Sequence, residues 1–322
     1  MKQLTVQISI GQRQFSVIES LSVESSWNFL ADKATITLPR RLLTQGSLSN
    51  PNAPDLNSII KVGDKVKIEL GYDFVFETEF TGYVKSISPE VPVKIECEDA
   101  MWLLKQTNLT NSWRKVSLTE LLQYIIPSGI EYEAIGEVNL GKFRVDRVSA
   151  FDILKKIREV YGLVSYMRDD KLIIGFPYQE ESNNVKLHFQ KNVDDKKSNL
   201  AFRKADQVKL KFKAISIQPD GSKIEVELGD NDGQVRSLHL PVGLDESEIR
   251  KIAEEKMKLF TFDGYEGDIT SFGQPYARHS DTVTITDDLY SDREGTYSID
   301  TVKVEVGSGG YRRTLTLGNK VT

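Results

Sequence analysis

Three histidines, His188, His239 and His279, and one cysteine, Cys97, carry all the imidazole and thiol chemistry that these 322 residues offer. Nucleophilic catalysis needs a base within hydrogen-bond reach of its nucleophile, and a metal site needs several His, Cys or carboxylate ligands to converge. The histidines lie roughly forty to fifty residues apart, each in or beside a strand or turn pattern, and none has an HExxH-type spacing. They read as surface or structural histidines. Cys97 sits in the alternating run Val93-Lys94-Ile95-Glu96-Cys97-Glu98, which makes it a small buried or half-buried strand residue rather than a nucleophile. A single cysteine also excludes an internal disulfide and a cysteine-rich zinc site.

Asp230-Asn231-Asp232-Gly233 opens like a calcium loop, but glycine comes fourth, where the full motif needs it sixth and a glutamate at position twelve. A hairpin turn between Leu228 and Val235 is the expected structure. Gly307-Ser308-Gly309-Gly310 is expected at a hairpin tip, since no helix follows it to aim amides at a phosphate. The acidic pairs Glu180-Glu181, Asp194-Asp195 and Asp287-Asp288 lie in polar loops. Glycoside cleavage needs two carboxylates held apart across a sugar cleft, and adjacent loop residues supply none. Trp27, Trp102 and Trp113 lack the interleaved basic residues of a base-stacking platform and read as core anchors. The inventory predicts no catalytic residue, no cofactor and no metal, hence a protein that is not an enzyme.

The elements around these residues are mostly strands. Leu4, Val6, Ile8 and Ile10 share one face, Gly11-Gln12 turns, and Ala34, Ile36 and Leu38 repeat the period of two before Pro39. Arg40 to Ser58 is a long connection with Gly46, Pro51 and Pro54; its adjacent apolar residues Leu42 and Leu43 are the expected protein-interface residues. Ser117-Leu118-Thr119-Glu120 is a capping box that opens a short helix ended by Pro127. A second helix starts at Ser149, carries Ile153, Leu154, Ile157, Val160 and Tyr161 at helical spacing, and stops at Gly162. Leu163–Arg168 and Lys171–Phe176 flank Asp169-Asp170 as a hairpin. Strands resume at Val208–Phe212 and Lys223–Leu228. A third helix begins at Asp245, with Glu248 completing its capping box, and should bury Ile249, Ile252, Ala253, Met257 and Phe260.

The two ends of the chain repeat one pattern. Val62-Gly63-Asp64-Lys65-Val66-Lys67-Ile68 is followed by Gly82–Ile87 and Val93–Glu98. His279-Ser280-Asp281-Thr282-Val283-Thr284-Ile285 is followed by Gly295–Val302 and Tyr311–Leu317. Asp64 precedes Val84 by 20 residues and Asp281 precedes Ile299 by 18, so both ends can hold one strand order with small turn differences. The predicted fold is mainly β with α+β insertions: two similar small β-barrel, tube-like domains flank a helix-plus-hairpin middle region. The expected boundaries are 1–100 for the first barrel, 101–200 for the middle domain and 201–322 for the second barrel, with a helical insertion near 245–260.

With 42 basic and 47 acidic residues the formal charge is −5, and no long run of one sign occurs, which disfavours tight nonspecific binding to nucleic acid. The N-terminus alternates rather than forming the apolar core of a secretory signal, and no stretch has the apolar length to span a bilayer. Folding in the cytoplasm and no membrane insertion are expected.

The run Val62–Ile68 with Phe80-Thr81-Gly82-Tyr83-Val84 resembles the first barrel of baseplate hub proteins of contractile phage tails, the late-control D family, itself similar to the hub half of type VI secretion spike proteins. Ala150-Phe151-Asp152-Ile153-Leu154 through Tyr161-Gly162 and Asp169–Leu172 resembles that family's middle segment. Gly295–Val302 and Gly310–Leu315 resemble its final barrel. The resemblance spans nearly the whole chain and rests on the order of short motifs. It implies a homotrimer whose six barrels form a pseudo-sixfold ring, a structural adaptor joining the tail tube protein to the tail spike protein among other baseplate proteins. An axial channel would pass DNA only in transit, and a net acidic chain suits such a wall. The implied place is the virion tail baseplate, assembled in the host cytoplasm. Because the sequence stops at Thr322, soon after the second barrel pattern, the spike is expected as a separate protein. A tail-associated cell-wall hydrolase and a carbohydrate-binding tail-tip module are the alternatives.

Overall fold

A computed structural model describes residues 3–40, 55–136, 138–175, 183–205, 209–240, 242–261, 263–291 and 294–321. Alternating sequence becomes strand as expected: in Lys33–Leu38 the burial alternates, with Ala34, Ile36 and Leu38 inward. The three anticipated helices are Leu118–Ile125, Ala150–Tyr161 and Glu246–Phe260. Both capping boxes form, at Ser117/Glu120 and Asp245/Glu248, and Gly162 ends the second helix in the left-handed region at φ 69°. Ile249 and Ala253 of the third helix are buried, while Ile252 and Met257 are half-buried; the side chain of Phe260 lies outside the described residues.

The two halves are copies at the level of individual hydrogen bonds. In the first, Lys65–Tyr72, Val75–Ile87 and Val93–Glu98 form an antiparallel meander; in the second, Thr282–Thr286, Gly295–Gly307 and Gly310–Lys320 do the same. The turn before each meander is identical. Gly63 N–H donates to Val84 O and Val84 N–H to Asp64 O; Ser280 N–H donates to Ile299 O and Ile299 N–H to Asp281 O. The Asp64 carboxylate accepts the Lys61 amide at 2.8 Å, and that of Asp281 accepts the Arg278 amide at 2.8 Å. Gly63 and Ser280 both have positive φ, 90° and 68°. Each long central strand then bulges at the matching place, Lys85 after Val84 and Asp300 after Ile299.

The equivalence continues outward. Val93–Glu98 pairs with Lys33–Leu38 and this with Ser20–Ser26; Gly310–Lys320 pairs with Gly264–Phe272 and this with Asn199–Arg203. On the other flank Leu4–Ile10 lies beside Lys65–Tyr72, and Asn184–His188 beside Thr282–Thr286, but the first pair is antiparallel and the second parallel. The two similar copies that the sequence predicts are joined by a ladder: Ser20–Ser26 pairs with Gly295–Gly307, giving one 13-stranded sheet and one shared apolar core from Ile8 to Leu317. The second copy's strands begin at Asn184, ahead of the expected boundary at 201.

Two smaller units stand on this sheet, each with its own core. Residues 100–174 pack the helices Met101–Lys105, Leu118–Ile125 and Ala150–Tyr161 on the ladders Leu109–Ser117/Asn139–Val148 and Glu131–Ala134/Lys171–Gly175/Val164–Arg168. The insertion in the second copy is larger than the expected helix: Leu210–Ile217, Lys223–Gly229 and Gln234–Leu240 form a sheet under Glu246–Phe260. Here the expected hairpin at Asp230–Gly233 is corrected. Lys223–Gly229 and Gln234–Leu240 do not pair; they flank Leu210–Ile217 on opposite sides, and the loop crosses over its first residue, where Asp230 N–H donates to Leu210 O at 2.8 Å. A Cβ on Gly233 would come within 2.6 Å of the Leu210 backbone, so the glycine serves the crossing. Among the described residues no helix is long and apolar enough to cross a membrane.

Candidate functional site at the seam between the copies

The strongest constellation of polar groups lies where the copies meet. Within the seam ladder Val304 faces Val23 and Thr301 faces Ser26. The bulge turns Asp300 toward this end, where its carboxylate accepts Trp27 Nε1–H at 3.1 Å and its carbonyl accepts Ser26 Oγ–H at 2.8 Å. Glu79, on the first copy's central strand, accepts from Tyr311 Oη at 2.6 Å and Arg313 Nη2 at 2.5 Å. Arg313 also donates to the carbonyls of Gly273 and Ala277, and Tyr276 Oη donates to Thr78 O at 3.0 Å. Burial alone would lower the Arg313 pKa, but Glu79 and Tyr311 beside it raise it, so the guanidinium stays charged.

The middle unit locks onto the seam through the tip of its hairpin. Arg168 Nη2 donates to His279 O at 2.8 Å, Asp169 meets Arg278 at 2.9 Å, and Asp170 meets Thr81 Oγ1 at 2.8 Å and Lys65 at 3.3 Å. Asp169 and Asp170 form the expected turn, with φ 49° and 66°. Adjacent residues of one turn thus hold the second copy and the first.

A cavity of about 90 Å³ lies beneath this tip, lined by Asp32, Glu79, Asp99, Arg168, His279 and Arg313 among others. Burial pushes the Asp32 carboxyl up to about 6, against the pull of its bonds from Ser25 and Ser26 and of Arg168. Asp99 is raised well above the ordinary range by burial and then by Asp32. Burial, then Arg168 and Arg278, drives His279 well below the usual histidine range, so it is neutral at pH 7. Its Nδ1 lies 3.3 Å from Ser280 Oγ, but its buried Nε2 has no hydrogen-bond partner among the described residues. Among the described residues no carboxylate is hydrogen-bonded to the ring, which is what a Ser–His pair would need to act as nucleophile and base.

The other residues singled out in the sequence do not converge here. His188 Nε2 lies 3.0 Å from Asp288, and His239 lies against Gly162, its pKa lowered by burial and then by Lys223. Cys97 is 1% exposed on its strand, and burial pushes its thiol up to about 12, which suppresses the reactive thiolate. Asp194 pairs with Arg312, and Asp287 caps its own turn at the amides of Leu289 and Tyr290. Trp102 stacks on Tyr83 and Trp113 meets Tyr124 edge-on, each anchoring a core margin. No group of three metal-ligating side chains occurs among the described residues. Leu42, Leu43 and Glu180-Glu181 lie outside them.

No known sequence family matches the chain, and no curated protein matches it. Its structure is similar to solved ones. A tail protein from Neisseria meningitidis MC58 superimposes with a TM-score of 0.65 at 14% identity, covering 98% of this chain and 96% of that one. The 43 kDa tail protein of prophage MuSo2 from Shewanella oneidensis gives 0.64 at 15% identity, covering 98% and 97%. The E. coli c3393 protein, described as a type VI secretion component with structural similarity to the T4 bacteriophage tail proteins gp27 and gp5, gives 0.57 at 8% identity, covering 98% and 76%. The fold of this chain is that of these tail proteins, mainly β with α insertions, in agreement with the resemblance read from its motifs.

Proposed function

We propose that this chain is the structural hub of a contractile tail or related injection machine. It would be a homotrimer presenting six near-equivalent stations, joining the tail tube to the central spike around an axial channel, in the baseplate of a tail assembled in the host cytoplasm. The observation that carries this reading is the duplication itself. Two copies of one six-strand unit, matched down to the Asp64 and Asp281 turns, are fused side by side through a ladder. A threefold assembly of such chains faces a sixfold tube with equivalent surfaces and a threefold spike with its true symmetry. The fold shared with tail proteins supports it, and so does the use of the polar seam for holding units together rather than for chemistry. The proposed domains are the two copies, the middle unit at 100–174 and the insertion at 210–260; Leu42 and Leu43 remain proposed interface residues. Light scattering on the purified protein, alone and with its spike, tests this: a trimer in either sample is expected, and monomer in both overturns it.

A further inference from the structure

The seam within the chain predicts a contact between chains. The outer edge of Ser20–Ser26 in the first copy is filled by the second copy's central strand, with Val304 opposite Val23. Its counterpart in the second copy is Asn199–Arg203. The equivalence follows residue by residue: Val84, Cys97, Ala34 and Val23 lie in one row across the first copy, and Ile299, Leu317, Gly267 and Leu200 in the matching row across the second. Among the described strands Asn199–Arg203 is paired on one side only, with Gly264–Phe272. The segment of the first copy that corresponds to the seam half of Gly295–Gly307 is Ser86–Val91, carried across by the match of Val84 with Ile299. It too has no described strand on that side, since Lys65–Tyr72 pairs only as far as Tyr83 and the preceding turn only as far as Val84.

We propose that the open edge of Asn199–Arg203 is completed by Ser86–Val91 of a second copy of this chain, antiparallel, with Phe202 opposite Ile87, Ala201 opposite Ser88 and Leu200 opposite Pro89. The register is the seam register transferred through the duplication. The contact is heterologous, since each chain offers one donor edge and one acceptor edge, and a repeated heterologous contact closes into a ring or runs on as a filament. Apolar side chains stand open on both partners: Phe202, on the strand edge, is 45% exposed, and Val91, in the bend that follows the strand end at Ile87, is 72% exposed. An open edge with such side chains is a template for strand addition. Pro89 has no amide to donate, and Arg40 reaches its carbonyl at 3.3 Å, so the new ladder is shorter than the internal one and leaves assembly reversible. The proposal deepens the hub reading and rests on it for the number of chains in the ring.

The test is a disulfide. Ala201→Cys and Ser88→Cys are placed together in the full-length protein, whose own Cys97 is buried, and oxidised at concentrations where light scattering reports the assembly. Side chains directly opposite in an antiparallel pair have Cβ atoms about 4.5–5.5 Å apart, within disulfide reach, whereas a shift of two residues takes them to about 7–8 Å. A covalent trimer on a non-reducing gel is expected from Ala201→Cys with Ser88→Cys, and at least tenfold less of it from Ala201→Cys with Glu90→Cys. Val91→Asp, at an exposed position whose loss leaves the core intact, should reduce the assembled fraction without moving the thermal midpoint of the monomer. A trimer that forms with no cross-link, or that cross-links equally in both registers, overturns the contact and leaves the hub reading standing. Monomer under every condition overturns both.

Discussion

Arg313 Nη2 lies 2.5 Å from Glu79 Oε1, with the side chains 1% and 3% exposed, and joins a strand of the second copy to the central strand of the first. Removing one partner of a buried pair leaves an uncompensated charge and costs about 3–5 kcal/mol, while removing both avoids that penalty. Glu79→Ala and Arg313→Met should each lower the unfolding free energy by about that amount. The double variant should lose about 2 kcal/mol less than the sum of the two. Urea unfolding of the four proteins measures this; additivity within about 0.5 kcal/mol would show that the pair does not couple the copies.

The duplicated turn makes a graded prediction. Asp64 accepts one backbone amide at an exposed turn, whereas Asp281, 7% exposed, accepts the amides of Arg278 and Asn183. A net hydrogen bond contributes about 1 kcal/mol, and a buried orphaned donor costs about 1–3. Asp64→Ala should therefore cost about 1 kcal/mol and Asp281→Ala about twice that, with Asn recovering part of each loss. Equal costs would mean that burial does not set the difference.

The cavity carboxylates and His279 impose opposite pH slopes. Asp32 and Asp99 hold protons more tightly folded than unfolded, so their contribution is full below the ordinary carboxylate range and is lost as pH rises through their raised folded values, about 6 for Asp32. His279, and less deeply His239, are depressed when folded, so their contribution is full above about 6.5, the unfolded value, and is lost as pH falls from there through their lower folded values. The two tendencies oppose each other near pH 6. Asp32→Asn keeps an acceptor for the Ser26 amide and can donate to Ser25 Oγ, while removing the charge. It should raise the thermal midpoint at pH 7.5 by about 2–4 °C, the gain roughly halving by pH 5 and fading toward zero only below about pH 4, in the ordinary carboxylate range. A gain that persists unchanged at pH 5 would place its origin outside ionisation.

The local elements were legible because their signals are local. Ser117/Glu120 and Asp245/Glu248 announce helix starts, Gly162 an end, and Asp169-Asp170 a turn, all within a few residues. The repeat was legible through Asp64 and Asp281, since both turns need the same short side chain. The seam was not. Glu79 and Arg313 are 234 positions apart, and nothing near Glu79 marks it as a buried partner; nor does the hairpin Asp169-Asp170 state what its tip will touch. The crossing at Asp230–Gly233 was misread because a four-residue loop with Asp and Gly suits a hairpin equally well, and only the position of Leu210–Ile217 between the two strands decides. Non-local pairing is set by the whole core rather than by the segment.

Gly162 offers a test of how the middle unit meets the insertion. Its φ of 69° is the left-handed helix stop, where a side chain costs about 1 kcal/mol. A Cβ there would also come within 2.3 Å of His239 Cβ, on the strand Gln234–Leu240 of the insertion. Gly136 has φ 91° with nothing within 4 Å of the same added atom, so it isolates the backbone cost. Gly136→Ala should therefore lower the unfolding free energy by about 1 kcal/mol and Gly162→Ala by about 3, the difference being overpacking. His239→Ala should not rescue Gly162→Ala, because the overlapping atom is the Cβ that alanine retains. Equal costs for the two glycines would show that the insertion moves freely away from the helix end, and the close packing of the two units would then not hold in solution.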